Sequence, residues 1–175
     1  MSCSLPEKAW PADQVSRRKV AELVPYARNS RRHSPEQVSQ IMASIREWGF
    51  TIPVLVDEAG TIIAGHGRVM AAQRLGIEEV PVMVAAGWSK AQKAAYTIAD
   101  NQLAMNGEWD DDLLRVELSD LQEQGADLAL LGFTDAELEA ALAEPDFEPV
   151  SIEDQGRLDE KSPVCCPKCG HEWRP

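Results

Sequence analysis

The run Ile62-Ile63-Ala64-Gly65-His66-Gly67-Arg68, followed at once by Val69-Met70-Ala71-Ala72-Gln73-Arg74-Leu75, constrains the fold more than any other stretch of the chain. A short β-branched run ends in two glycines around a histidine, then an arginine, then good helix formers. The glycines therefore sit where a strand hands over to a helix N-terminus. Such a junction binds anions. The first helical turn has free N–H groups and a partial positive charge, glycine lets a phosphate approach the backbone, and arginine adds a permanently charged, bidentate donor. Gly65, His66, Gly67 and Arg68 are thus candidate phosphate ligands, and ordinary turn chemistry is the competing reading of the same glycines. His66 has three readings: a donor to phosphate, a proton shuttle near neutral pH, or a packed turn residue.

At 175 residues there is room for one core-bearing domain of about 100 to 150 residues and a tail. No apolar run reaches the length of about eighteen that a membrane span needs, and the first residues lack the apolar core of a secretory signal. The expectation is a soluble, cytoplasmic protein with no membrane partner. Charge is unevenly spread: residues 1–100 hold 12 Lys and Arg against 10 Asp and Glu, whereas residues 101–175 hold 5 against 19. Arg17, Arg18, Lys19, Arg28, Arg31 and Arg32 face one acid, Glu22, between Ser16 and Arg32. That cluster reads either as a contact surface for phosphates or nucleic acid or as a solvated basic face. The acidic second half argues against a free-standing, non-specific DNA-binding module, because it repels the backbone it would have to neutralise.

Capping signals place the helices. Ser34, Pro35 and Gln37 open one whose Val38, Ile41, Met42, Ile45 and Trp48 repeat at helical spacing as core residues, and Gly49 stops it. Ser89 and Gln92 open a second that runs through about Ala99, with Ala91, Ala94, Ala95 and Ile98 on one face. Asp100-Asn101-Gln102 then breaks the apolar pattern. Two acidic amphipathic helices follow at about 110–124 and 135–143, the latter capped by Thr134 and Glu137. Strands are expected at Val20–Val24, at Thr51–Val56 and Thr61–Ala64 as a hairpin across Asp57–Gly60, and at Val80–Val84, an edge strand because of Pro81. A short helix from about Val69 to Leu75 follows the Gly-His-Gly-Arg loop, capped by Gly76.

Three of the four cysteines, Cys165, Cys166 and Cys169, lie near the end of the chain, which is no disulfide framework. Cys166-Pro167-Lys168-Cys169 is the half of a zinc ribbon that sets two thiolates on one metal, with His171 close by. A full zinc site, a degenerate ribbon and a redox dithiol are the three readings of Cys166, Cys169 and His171. Zinc would need a further ligand from Cys3, a second chain or another protein.

The order of an arginine-bearing loop, a helix ending Ser44-Ile45-Arg46-Glu47-Trp48-Gly49-Phe50, the strand Ile52-Pro53-Val54-Leu55-Val56, and Ile63-Ala64-Gly65-His66-Gly67-Arg68 with Ala71-Ala72 and Leu75-Gly76 behind it resembles the N-terminal domain of the ParB/sulfiredoxin superfamily. The resemblance covers about residues 18–107 and is strongest to short members from phages and mobile elements, encoded beside or fused to DNA methyltransferases. It implies an α/β (α+β) fold, a small mixed sheet flanked by helices. It also implies a nucleoside triphosphate, CTP or ATP, with Mg²⁺: partitioning members carry Gly-Glu-Arg-Arg in the loop and bind CTP, and sulfiredoxins carry Gly-Cys-His-Arg and bind ATP. Gly65 and Arg68 match both. Lacking the cysteine, the loop cannot reduce a sulfinic acid, which needs a thiol nucleophile. Asp100-Asn101 resembles the Glu-Asn-x-x-Arg box that supplies an acid and an amide near metal and triphosphate, hard ligands suited to Mg²⁺. Arg28 and Arg31 resemble the arginine that partitioning members place near the nucleotide. Nothing after Asn106 reads as a helix-turn-helix with a basic recognition helix.

The organisation expected is a flexible arm at 1–19, the ParB/sulfiredoxin-like domain at 20–107, an acidic helical extension at 108–143, a linker or disordered tail segment at 144–163 and a Cys-rich knuckle at 164–175. Three functions stand open. The first is a nucleotide-binding switch or accessory subunit of phage or mobile-element DNA metabolism and modification, a homodimer or not, at most a slow nucleoside triphosphatase. The second is a DNA-binding or nuclease-type ParB-like protein. The third is an interaction adaptor for a DNA methyltransferase with a vestigial nucleotide site.

Overall fold

The computed structural model describes residues 10–143 and, in the tail, residues 164, 165, 169, 172 and 173. Four strands form one mixed sheet in the order β1-β4-β2-β3, with β1 at Val15–Lys19, β2 at Val54–Val56, β3 at Ile62–Ala64 and β4 at Glu79–Val84. β1 and β3 each run antiparallel to their neighbour, while β2 and β4 are parallel. A parallel pair needs a crossover, and the chain makes it through β3 and helix α2, His66–Leu75. This is the small mixed sheet flanked by helices that the sequence implies.

The alternation of a strand sends Val54 and Val56 to one face and Leu55 to the other. On the first face Val54, Val56, Ile62, Val80 and Val82 pack with Val69 and Ala72 of α2 and with Val20 and Leu23. On the second, Leu55, Ile63, Ala64 and Ala85 pack with Met83 and Trp88. Helix α3, Lys90–Met105, meets β3 at the buried Thr97, whose hydroxyl donates to the Ile63 carbonyl at 3.1 Å. Helix α1, Pro35–Trp48, begins as its caps dictate, with the Ser34 hydroxyl accepting from the Gln37 N–H. Helices α4, Asp111–Glu123, and α5, Asp135–Leu142, flank a 3₁₀ turn at Leu128–Leu131. The Thr134 and Glu137 box closes in both directions. In the tail, Val164–Cys165 pairs antiparallel with Glu172–Trp173.

Four details differ from the sequence reading. The first strand is Val15–Lys19, taken from residues expected in the arm, whereas Val20–Glu22 is a 3₁₀ turn and Val24 makes a single bridge to Thr61. The strand lay hidden because four of its five residues are exposed, so it has no apolar alternation. β4 is central, not an edge. Val20 N–H donates to the Glu78 carbonyl, so alternation leaves Arg17 and Pro81 as a non-hydrogen-bonded pair, and Pro81 falls one position before the Val54–Val82 start of the parallel ladder. The missing N–H costs neither ladder a bond. Trp48 is 52% exposed and Ile98 61% exposed, so each helix buries a narrower stripe than its periodicity suggests. Finally, α3 continues past Ala99 to Met105 and carries Asp100 and Asn101 within it.

Candidate functional site

The handover at Gly65 is sharper than the sequence implies. Helix α2 starts at His66, so His66, Gly67 and Arg68 form its first turn and Gly65 is the N-cap, with φ at 96°, a left-handed conformation open to glycine. The first intrahelical bond runs from the Val69 N–H to the Gly65 carbonyl. The N–H groups of His66, Gly67 and Arg68 therefore have no acceptor within the helix. Gly67 is buried against α1: a Cβ there would lie 2.9 Å from Ile41 Cδ1 and 3.1 Å from the His33 ring. This close approach brings the donor-rich turn beside the loop that precedes α1.

A cleft of about 200 Å³ opens at this point, lined by Gly65, His66, Gly67 and Arg68, by Asn29, Arg31 and His33 of the loop, by Gln37 and Ile41 of α1, and by Asp100 and Asn101 of α3. Of the sequence-predicted residues, the four of the Gly-His-Gly-Arg run, Arg31, Asp100 and Asn101 are thus brought together. Arg28 is exposed and does not line the cleft. Asn29, His33 and Gln37 were missed. Asn29 folds back on Arg31, accepting its N–H at 3.2 Å and donating to its carbonyl at 3.3 Å, an Asx motif that Asn-Ser-Arg could have signalled. His33 Nδ1 lies 2.9 Å from Gln37 Oε1, a pairing four residues apart that fixes Nδ1 as the donor.

His66 Nε2 accepts the Tyr26 N–H at 3.3 Å, which puts the imidazole proton on Nδ1. Burial lowers its pKa, and His33 nearby lowers it further, so the neutral ring is favoured. Arg68 Nη1 donates to the Ile52 carbonyl at 2.6 Å and to the Pro53 carbonyl at 3.3 Å. Its Nη2 and Nε lie against Gly65. Burial depresses its pKa and Asp100 opposes that shift. Asn101 donates Nδ2 to the Thr97 carbonyl at 2.7 Å, which leaves its Oδ1 as an acceptor beside the exposed Asp100 carboxylate. Three backbone donors, two guanidinium groups and two imidazoles on one side, with a carboxylate and an amide oxygen on the other, suit a phosphate chain carrying a hard cation.

The profile of the ParB N-terminal domain matches residues 6–102. The chain belongs to the ParB N-terminal domain family. A second profile, the ParB-methyltransferase HTH domain, matches residues 112–167 of this ParB-family chain. That match assigns a helix-turn-helix to a stretch where the sequence reading finds none with a basic recognition helix. α4, the 3₁₀ turn and α5 fall almost wholly within the matched residues, and α5 carries Asp135, Glu137 and Glu139 and no Lys or Arg, so it gives no basic-helix signal. The ParB-like nuclease domain-containing protein YnaK of Escherichia coli K12 is 57% identical over 76 residues, 43% of this chain and 87% of YnaK. An uncharacterised protein, ORF326b of Acidianus two-tailed virus, is 47% identical over 45 residues, 26% of this chain and 14% of that one. Among solved structures, the C-terminally truncated chromosome-partitioning protein ParB of Caulobacter crescentus, complexed with CTP-γ-S, aligns with a TM-score of 0.62 at 25% identity, over 76% of this chain and 81% of that one.

Of the zinc-ribbon residues, Cys169 is exposed with a free thiol, while Cys166 and His171 lie outside the described residues. No helix among the described residues is long and apolar enough to cross a membrane.

Proposed function

We propose that this ParB-family chain binds a nucleoside triphosphate with Mg²⁺ in the Gly65–Arg68 cleft. In this reading it serves as a nucleotide-dependent switch or accessory subunit in the DNA metabolism or modification of a phage or mobile element. The observation that carries it is the first turn of α2, three N–H donors with no acceptor within the helix, at a cleft that also holds Arg31, His33, His66 and Arg68. The CTP-γ-S complex of the Caulobacter ParB supports the same ligand class. In this chain the first-turn amides and Arg68 Nη2 hold the phosphates, Arg31 closes over them from the loop, and Asp100 with Asn101 Oδ1 hold the cation. A switch needs only that one conformation bind nucleotide better than another, so no residue has to be assigned to hydrolysis.

Titration calorimetry with all four ribonucleoside triphosphates and Mg²⁺ tests the reading. Saturable heat with at least one of them is expected, reduced when Mg²⁺ is chelated. No heat and no thermal shift with any triphosphate at millimolar concentration would remove the nucleotide from this site. Direct DNA binding is the second reading, favoured by the match to the ParB-methyltransferase HTH domain. Gel shifts of duplex DNA by the full chain at near-physiological salt decide whether it holds.

A further inference from the structure

Among the described residues, helix α4 packs one of its two apolar faces. Leu114, Leu118 and Leu121, at helical spacing, point inward, and Leu118 is 1% exposed. Leu113 and Val116, three residues apart and outside that inward stripe, are 64% and 56% exposed. A helix on a domain surface needs one apolar stripe to pack, so a second one left in water marks a contact surface. Trp109, in the segment before the helix, packs elsewhere, its ring 5.8 Å from that of Phe133 in the loop before α5.

The surroundings say what covers it. Asp112, Glu117, Asp120 and Glu123 project to the same side of the helix as Leu113 and Val116 by its 3.6-residue period. From residue 108 to 143 the chain has eleven Asp and Glu and one Lys or Arg, namely Arg115, whose Nη1 is paired to Asp112 at 3.1 Å. Such a surface repels a phosphate backbone and attracts cations. We propose that Leu113 and Val116, with the carboxylates around them, form a docking site for a basic protein segment that interleaves Lys or Arg with apolar residues. The part of the chain that matches a helix-turn-helix then binds a protein partner through α4, and does so independently of the nucleotide cleft.

The test pans a random-peptide phage library on the full chain and compares each selected peptide on wild type and on Leu113→Ser/Val116→Ser. Both substitutions are at exposed positions, and unchanged melting shows that the fold is kept. The expected winners carry Lys and Arg between apolar residues, bind the variant about tenfold or more weakly, and weaken as salt rises. Asp112→Asn/Glu117→Gln/Asp120→Asn, which keeps the apolar stripe, should weaken binding and flatten its salt dependence. The proposal is overturned by winners without basic residues, by no enrichment, or by equal binding to wild type and the Leu113/Val116 variant. It is overturned as well if sedimentation shows a dimer that this variant dissociates, because a second copy then occupies the face, or if the full chain shifts duplex DNA and the variant does not.

Discussion

Arg68 carries one observed role and one proposed. Read from the sequence it is a phosphate ligand, and the structure also hangs the entrance to β2 on it through the Ile52 and Pro53 carbonyls. Arg68→Ala should therefore cost two things together: about tenfold or more in triphosphate affinity, and about 1 to 2 kcal/mol of stability from the lost charge-assisted bonds. Arg68→Lys separates them, since one ammonium keeps the charge and one carbonyl contact but cannot span both carbonyls and a phosphate. Denaturant melts and calorimetry on both variants check this, and an Arg68→Ala protein with normal affinity would leave the residue a purely structural role. His66 makes a second prediction. Its pKa is lowered in the fold, so the unfolded chain takes up the proton first as pH falls. The neutral ring's contribution is complete above about 6.5 and is lost as pH drops through the lowered folded value. A protonated Nε2 cannot accept the Tyr26 N–H, so His66→Gln, which offers an amide oxygen there, should flatten the acid limb of a melting-versus-pH curve. A bound triphosphate reverses the sign, raising the pKa and making affinity rise as pH falls over the same range.

At the scale of elements, the tail and the body are separate compact units, divided between Leu142 and Ala143. A chain ending at Ala143 is expected to melt within about 5 °C of the full chain, because the tail's proline-rich, acidic composition adds little apolar burial. Loss of solubility or of cooperative melting on this truncation would mean that the helix-turn-helix match to residue 167 reflects one folding unit. What the sequence made legible was local chemistry. Ser34, Ser89 and Thr134 announced three helix starts, and each caps as expected. Asp57 announced the β2–β3 turn, accepting the N–H groups of Ala59 and Thr61. The strand-to-helix handover at Gly65 was readable because it lies within four residues. The rest depends on partners far along the chain: Arg68 finds carbonyls sixteen and fifteen residues back, and His33 enters the cleft only because Gly67 lets α1 and α2 close. Asp100 and Asn101, which only the resemblance points to, reach the cleft from inside a helix whose extent the exposed Leu103 and Met105 disguise.

At the scale of the whole molecule, the sheet has two edges, and the one formed by β1 is the more open to strangers. Among the described residues its outer side has no partner, and it presents backbone donors and acceptors to any extended chain, the usual route to strand-by-strand aggregation. β1 reads Val-Ser-Arg-Arg-Lys, so three consecutive positive charges lie along that rim, with Arg17 and Lys19 exposed on it. Two copies meeting edge to edge would stack these charges against each other. Arg17→Val/Lys19→Val should preserve the antiparallel pairing to β4, since valine favours strands, and remove that protection. Light scattering on heating is expected to show earlier and concentration-dependent aggregation for the variant, with little change in its melting midpoint at low concentration. An unchanged scattering onset would mean that some other part of the chain guards the rim. If the prediction holds, the run that looks from sequence like a nucleic-acid contact is there to keep the protein soluble at high concentration.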